Sequence, residues 1–357
     1  HMSFPNNEGQ ARARLHANAV KFQRDPILWN EYAAAIEKYE EEGYAEVVPP
    51  QELLGEPGRV FYLMHHHVRH PRKKTIRIVF NASAKYRGVS LNECVRKCPD
   101  LLESIVGILL RFRLGEIAVA ADIRAFFSQV LLAPEDRDLH RYLWYTDASM
   151  KTLKVLRMKC HGFGEIGSQA CSVHARDRSL SDAVDRGELD KHVASDAEKM
   201  FYSDDLLGSF NNSNIASSFM LSIISALSEG GFDLTKIRSN CSTLQTQLGS
   251  TETDPIIGDI MPHEAALGIS WDLSTDELLY GSEDFLASTK VSTKRSLLSA
   301  VMSLWDPLGH MVPFITPLKI LMQSACCLDP PLKWDDALPE SLQHQVDRAV
   351  SGLLNVR

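Results

Sequence analysis

Residues 116–123 read Glu-Ile-Ala-Val-Ala-Ala-Asp-Ile. From Ile117 to Ala121 the residues are small or β-branched and apolar, with no polar residue alternating among them. An alternating strand would keep one wet face. This one has none, so it predicts a strand covered on both faces. Such a strand belongs inside a sheet, and the rest of the chain must supply the layers that cover it. It ends in an acid, Asp122. A second acidic interruption comes at 199–210, KMFYSDDLLGSF. There Asp204 and Asp205 stand between Met200, Phe201 and Tyr202 before them and Leu206, Leu207 and Phe210 after them. Carboxylates among apolar residues are costly to bury unless something neutralises them.

A lone Asp-Asp pair is commonly a solvated turn, because Asp favours turns. The apolar flanks and the upstream acid-ended strand set this pair apart. If the 198–210 hairpin lies beside strand 116–123, three carboxylates converge. Acids that close raise one another's pKa unless cations stand between them. Hard divalent ions meet that need, because Mg²⁺ takes carboxylate oxygens and leaves positions for water or substrate phosphates. A pair of such ions serves in-line phosphoryl transfer, so the chemistry implied is nucleotidyl transfer to a 3′-hydroxyl.

The remaining sequence supplies the layers. With 357 residues the chain exceeds a single comfortable core and predicts two or three packed lobes. At 44% apolar and 24% charged it has a globular composition, not a disordered one. Its apolar runs are too short for a membrane span, and no signal peptide is visible. His1-Met2 has the look of an expression-tag remnant. The seven cysteines are odd in number, which favours free thiols in a reducing compartment. Cys94/Cys98 and Cys171/His174 lack the second pair that a zinc finger needs. His65-His66-His67 reads as a packing or polar feature. The net charge of −8 argues mildly against nucleic-acid binding, yet 69–77, RHPRKKTIR, holds five Lys/Arg and no acid.

Asp25-Pro26 is a helix start, with Leu28, Tyr32, Ile36 and Tyr39 at helical spacing. Residues 59–64 and 75–81 predict strands, the second with Ile76, Ile78 and Phe80 on one face and Arg77 and Asn81 on the other. Helices are expected at 99–113, 165–180 and 214–228, and strands at 140–146, 153–160 and in FDLTKI. Residues 267–281 predict a hairpin. From 292 the chain turns helical, with Leu297, Leu298, Val301, Leu304 and Trp305 on one stripe and further helices at 316–327 and 339–354. The order is mixed α+β followed by a mainly α lobe.

Taken together, Tyr-x-Asp-Asp at 202–205, ADIRAFFSQV and LGISW resemble the ordered motifs of reverse transcriptases. RIVFNASAKYRGVSLNECV, PDLLESIVGILLRFR, GGFDLTKIRSN and SLWDPLGHMVPFITPLKILMQ resemble signatures of the BEL/Pao group of LTR retrotransposons, from about residue 20 to the end. The resemblance implies an α+β right-hand polymerase fold of fingers, palm (an antiparallel sheet with helices) and helical thumb. Fingers would occupy 3–114, and the palm 115–265 with a fingers insertion near 130–165. A primer-grip hairpin would occupy 266–290, and the thumb with the start of a connection 291–357. The implied activity is an RNA-directed DNA polymerase acting on an RNA template, a DNA primer, their RNA–DNA hybrid and dNTPs, with two Mg²⁺ (or Mn²⁺) ions and no membrane.

By the same resemblance Asp122 and Asp204 hold both metals with the carbonyl of Ile123, and Asp205 is the third acid. Phe127 matches the aromatic gate that excludes a ribose 2′-hydroxyl by clash, with neighbouring Phe126 one register away. The resemblance makes the amides near Ala125 and Phe126 candidates for the triphosphate. Arg77 matches the fingers arginine that contacts an incoming triphosphate, and Lys73 or Lys74, between which spacing does not choose, would fill the companion lysine role. Gly164 lies in the nucleotide and template pocket, although Phe163 stands where retroviral enzymes carry Gln, and Ser168-Gln169 where the group has Ser-Pro. Lys236 matches the lysine that protonates departing pyrophosphate. Leu267, Gly268 and Trp271 fall in the primer grip, and Tyr202 and Ser203 beside the primer end. A tight hairpin would give Ser203 a positive φ. Asn81 replaces a commoner Asp, with loss of a charge.

Two other readings compete with the polymerase: a co-opted, catalytically impaired retrotransposon-derived module that binds nucleic acid or protein, and a palm-fold nucleotide cyclase. The cyclase needs no aromatic gate, primer grip or thumb. No RNase H activity is expected, because too little chain follows the first thumb helix. An intracellular location is expected, in cytoplasm, virus-like particle or nucleus, for a piece of a larger polyprotein.

Overall fold

The computed structural model describes residues 3–69, 75–248, 263–267, 269–280 and 290–354. Along the chain come helices α1 (Glu8–Arg24) and α2 (Pro26–Glu41), then strands β1 (Ala45–Val47), β2 (Met64–Arg69) and β3 (Ile76–Asn81). Next are α3 (Leu91–Cys94), α4 (Ile105–Arg111), β4 (Ile117–Ile123), β5 (Arg141–Tyr145) and β6 (Leu153–Met158). Then come α5 (Ser168–Asp185), α6 (Lys191–Met200), β7 (Phe201–Tyr202), β8 (Asp205–Phe210), α7 (Ser213–Glu229) and β9 (Leu234–Ser239). The last part holds α8 (Ser242–Leu248), strands β10 (His263–Ala266), β11 (Ile269–Asp272) and β12 (Glu277–Leu279), and helices α9 (Lys294–Met302), α10 (Val312–Cys326) and α11 (Glu340–Leu354). The chain divides into two units: His1–Leu102, Ile123–Glu198 and Ser222–Leu234 form the first, and Glu103–Asp122, Lys199–Leu221 and Thr235–Arg357 the second.

In the first unit, Asp25 caps α2 by accepting from the Leu28 N–H at 3.0 Å, and Pro26 opens the helix, as the sequence predicts. Strands β1, β6 and β5 form an antiparallel sheet, and β2 pairs with β3. Their core holds Tyr32 and Ile36 of α2, Ile78 and Phe80 of β3 and Tyr142 to Tyr145 of β5. Trp144 stacks with both Trp29 and Tyr32, with ring centroids 5.1 and 4.9 Å away. The alternation of β3 is as expected: Ile78 and Phe80 are buried and Arg77 and Asn81 exposed.

The expected strand at 59–64 begins only at Met64, because the backbone just before it is engaged elsewhere. Phe61 N–H donates to Asp138, Leu63 N–H to Arg141, and Arg141 N–H back to Phe61. Helix α1 was not anticipated, although its buried Ala11, Leu15, Ala19 and Phe22 follow helical spacing. His65 of the His-His-His run is a core residue. Its Nε2 donates to the Leu143 carbonyl at 2.9 Å, which leaves Nδ1 to accept from the Tyr32 hydroxyl at 2.6 Å. All seven cysteines are free thiols.

In the second unit, β7, β8, β4 and β9 form one sheet in that order. Strand β4 is interior, as its sequence demands: Ala118 and Val119, which point to opposite faces, are both buried. Ala118 packs in a cluster with Ile108, Leu109 and Phe112 of α4, Leu207 of β8, and Ile269 and Trp271 of β11. Gly115 makes the entry to β4 possible, since a Cβ there would meet the Phe210 backbone at 2.5 Å. The expected helix at 99–113 is shortened to α4. Asp100 ties the Leu102 N–H in a local turn, and Ser104 caps the helix through the Gly107 N–H. Helices α9, α10 and α11 share a core around Leu297, Val301, Leu318 and Val346. Trp305, expected on the α9 stripe, lies beyond the end of that helix and is half exposed. Among the described residues no helix is long and apolar enough to cross a membrane.

Candidate active site

Strands β4 and β8 run antiparallel in a register that pairs Ile117 with Phe210 at one end and Asp122 with Asp205 at the other. Residues directly opposite in an antiparallel pair carry their side chains on the same face, and like charges there repel. The register that buries the apolar residues of both strands therefore forces two carboxylates together. Strand β7 pairs Tyr202 with Asp205, so Ser203 and Asp204 alone make the turn. Of these two corner residues only Ser203 has a positive φ, +58°. That is the pattern of a type II′ corner without its usual glycine, as the sequence predicts. The turn places Asp204 next to the facing pair.

Strand β9 supplies the counter-charge on the other side of β4. Lys236 Nζ lies 3.3 Å from Asp122 Oδ1, and the Thr235 hydroxyl donates to the Asp122 main-chain carbonyl at 3.1 Å. Lys236 also has a positive φ, +52°, inside a strand. Non-glycine residues held there are strained, and Ser203 and Lys236 put two such residues around one acidic group. Burial, and then the charges of Asp204 and Asp122, push the Asp205 carboxyl up to about 6, against the opposing pull of Lys236.

Among the described residues, no group of three or more His, Cys, Asp or Glu is arranged to hold a metal ion. The acids are instead two facing carboxylates and one turn carboxylate, half-buried, with a lysine against one of them. Mg²⁺ is commonly bound by one or two carboxylates together with substrate phosphates, not by an all-protein cage. A hard oxygen donor set with a carboxyl raised by its own neighbours fits that mode of binding.

The 263–280 segment is anchored by contacts the sequence did not reveal. Trp271 is fully buried, edge-on to Phe112 at 4.9 Å, and its indole N–H donates to Asp276 at 2.9 Å. Trp271 therefore offers no surface to a primer, which corrects its expected contact role: it is a strut of the hairpin. Arg113 grips the same Asp276 with both guanidinium nitrogens at 2.8 and 2.9 Å. Leu267 has φ +50°, and its carbonyl accepts from the Trp305 indole at 2.9 Å. Tyr202 is half-buried against the Ile108–Phe112 cluster. Gly268, Lys73 and Lys74 lie outside the described residues.

In the first unit, Ile123 is buried and Ala125 is left-handed at φ +49°, opening a 3₁₀ turn over Phe126–Gln129. Phe126 is buried against Phe232, whereas Phe127 is half-buried and meets Phe163 edge-on, so of the two only Phe127 has a face available to a ligand. Gly164 has φ +98°, and a Cβ there would stand 2.7 Å from the Phe80 carbonyl. Glu165, which no sequence motif marks, is clasped by His140 Nε2 at 3.4 Å and His161 Nδ1 at 3.3 Å. Burial alone would raise its carboxyl, but the two imidazoles carry it down to about 2. The spacing of His161 and Glu165 was a visible signal; His140 joins them only through tertiary folding.

The mixed α/β fold of the chain is similar to that of retroviral pol enzymes. A foamy viral protease-reverse transcriptase dRH in complex with ds DNA aligns with a TM-score of 0.57 and 14% identity, covering 90% of this chain and 48% of that one. The foamy viral protease-reverse transcriptase in complex with dsDNA gives 0.57 and 15%, covering 91% and 56%. The same enzyme in complex with RNA/DNA hybrid gives 0.55 and 15%, covering 90% and 36%. The chain thus spans roughly half the length of these relatives, and at such identity the likeness is one of fold. Residues 293–355 match the Pao retrotransposon-like RNaseH-like domain family. Together these matches support a retroelement pol region. No curated protein sequence matches the chain.

Proposed function

We propose that the chain is an RNA-directed DNA polymerase that extends a primer 3′-hydroxyl with dNTPs on an RNA template. The observation that carries this reading is the register of β4 on β8, which sets Asp122 against Asp205 beside a strained Ser203–Asp204 turn, with Lys236 on the opposite strand. Asp122, Asp204, Asp205 and the carbonyl of Ile123 would hold Mg²⁺ or Mn²⁺. Such ions, when bound, supply positive charge to the attacking and leaving oxygens of an in-line transfer.

Lys236, paired with Asp122 at 3.3 Å, would give a proton to a departing pyrophosphate once that ion pair is released. Phe127 would exclude a ribose 2′-hydroxyl by contact. Arg77, the Ala125 and Phe126 amides and Gly164 keep the triphosphate- and template-facing roles the resemblance implies, with Lys73 or Lys74 beside Arg77. The 263–280 hairpin, braced by Trp271 and Arg113 on Asp276, would rest on primer backbone.

A second reading has its own observation: the C-terminal match is to a family described as RNaseH-like. The described part of that match consists of the three helices α9 to α11 and contains no strand. This favours a helical nucleic-acid-binding lobe over a nuclease centre there. One experiment separates the two. The protein is incubated with Mg²⁺ or Mn²⁺, dNTPs and an RNA–DNA hybrid labelled on both strands, beside Asp204→Asn. Growth of the DNA strand, lost in the variant, supports the polymerase. Shortening of the RNA strand without DNA growth supports the nuclease, and binding without either supports a co-opted binding module.

A further inference from the structure

Phe163 is the residue of the 161–168 loop that the rest of the loop holds out. It is 57% exposed, unusual for a ring of its size. Every residue around it is pinned. The Ser168 hydroxyl donates to the Gly162 carbonyl at 2.8 Å. Asn92 donates to the Gly164 carbonyl at 2.9 Å and accepts from the Ile166 N–H at 3.0 Å. Gly164 lies so close to the Phe80 carbonyl that no side chain fits there. Glu165 is fixed by His140 and His161, and its carboxylate is nearly buried. The loop therefore has little freedom to fold the Phe163 ring inward. What the ring does meet is Phe127, at 4.9 Å between centroids and 85° between planes. Phe127 also neighbours Phe126, at 5.6 Å between centroids, and Phe126 in turn packs against Phe232.

We infer that Phe163 is a positioning residue for sugar discrimination: it braces Phe127 edge-on, so that Phe127 cannot swing away from a ribonucleotide's 2′-hydroxyl. This deepens the polymerase reading and rests on it. A ring that gates by clash discriminates only as well as it resists displacement, because a yielding ring converts a steric exclusion into a small rotation. The Glu165 clasp and the Asn92 bridge hold the brace, and Phe163 transmits their rigidity to Phe127.

The test is single-nucleotide extension of a DNA primer on RNA, measuring kcat/KM for a dNTP and for the matching rNTP. The proteins are wild type, Phe163→Ala, Phe163→Leu, Phe163→Tyr, Phe127→Val and the Phe127→Val/Phe163→Ala double variant. Phe163→Ala should cut the dNTP/rNTP ratio by about two- to tenfold, the range an edge-to-face pair contributes, with dNTP use little changed. Phe163→Tyr should restore the ratio and Phe163→Leu should not. Phe127→Val should lower the ratio further, and the double variant should fall no lower than Phe127→Val alone. A wild-type ratio in both Phe163→Ala and Phe163→Leu, with Phe127→Val impaired, overturns the brace and leaves the polymerase standing. A wild type that extends nothing overturns the polymerase reading itself, and the brace with it.

Discussion

Replacing Asp205 with Asn should make the metal-free protein more stable while removing the proposed polymerase activity. The facing register leaves Asp205 opposite Asp122 and next to Asp204. Burial and those two charges lift its carboxyl from 3.8 to about 6. A carboxyl raised on folding favours the folded state only while protonated: there is no penalty below the open-chain value, and the penalty is complete once pH has risen through about 6. A rise of that size corresponds to about 3 kcal/mol when the group is ionised at pH 7. Asp205 is half-buried and Lys236 lies near, so solvent screening reduces this to about 1 kcal/mol. The assay is urea and thermal unfolding in chelator at low salt. Asp205→Asn should gain about 1 kcal/mol, or a few degrees, at pH 7. The gain should vanish near pH 4 and shrink in high salt. Millimolar Mg²⁺ should stabilise wild type more than the variant. A variant that is equally or less stable at pH 7 would show that the acids do not oppose one another, and the electrostatic argument for a cation site would fail.

Ser203→Gly should be neutral to stabilising by up to about 1 kcal/mol, because glycine accepts φ +58° freely, whereas Ser203→Val should cost more than about 1 kcal/mol; urea titration of the pair checks the strain. Trp271→Phe keeps the buried ring but loses the donor to Asp276, and should cost about 1–2 kcal/mol in unfolding while weakening primer affinity only through the hairpin. His65, pushed down to about 4 chiefly by burial, should make the fold lose up to about 3 kcal/mol as pH falls from 6.5 to 4, since the open chain takes up the proton and the folded core refuses it. His65→Phe should flatten that limb of the stability profile.

The centre of the second unit was legible because its constraints are local and strong. A short run of small and β-branched apolar residues without alternation reads as an interior strand, and two acids between apolar flanks mark a hairpin tip, whereas the register that faces Asp122 with Asp205 comes from the fold. The positive φ of Ser203 followed from a two-residue corner lacking glycine. Tertiary partnerships were not legible. Trp271 reads as a surface anchor in LGISW, yet Phe112 and Asp276 make it core. Residues 61–63 have a strand's composition, but their amides go to Asp138 and Arg141. The Glu165 clasp needs His140 from the segment before β5, which no spacing rule connects to the 161–168 loop. Helix α1 carried its signal in alanines, whose small apolar faces are easily read past.

The central claim is that Asp122, Asp204 and Asp205 together form a polymerase centre. It is tested most directly by addition of one complementary dNTP to a DNA primer annealed to RNA, for wild type and for Asp122→Asn, Asp204→Asn and Asp205→Asn. The account predicts divalent-ion-dependent addition by wild type and at least a hundredfold loss in each of the three variants, all four proteins binding the hybrid alike. Addition that survives Asp122→Asn and Asp204→Asn, or a wild type that binds the hybrid and never extends it, would contradict the claim.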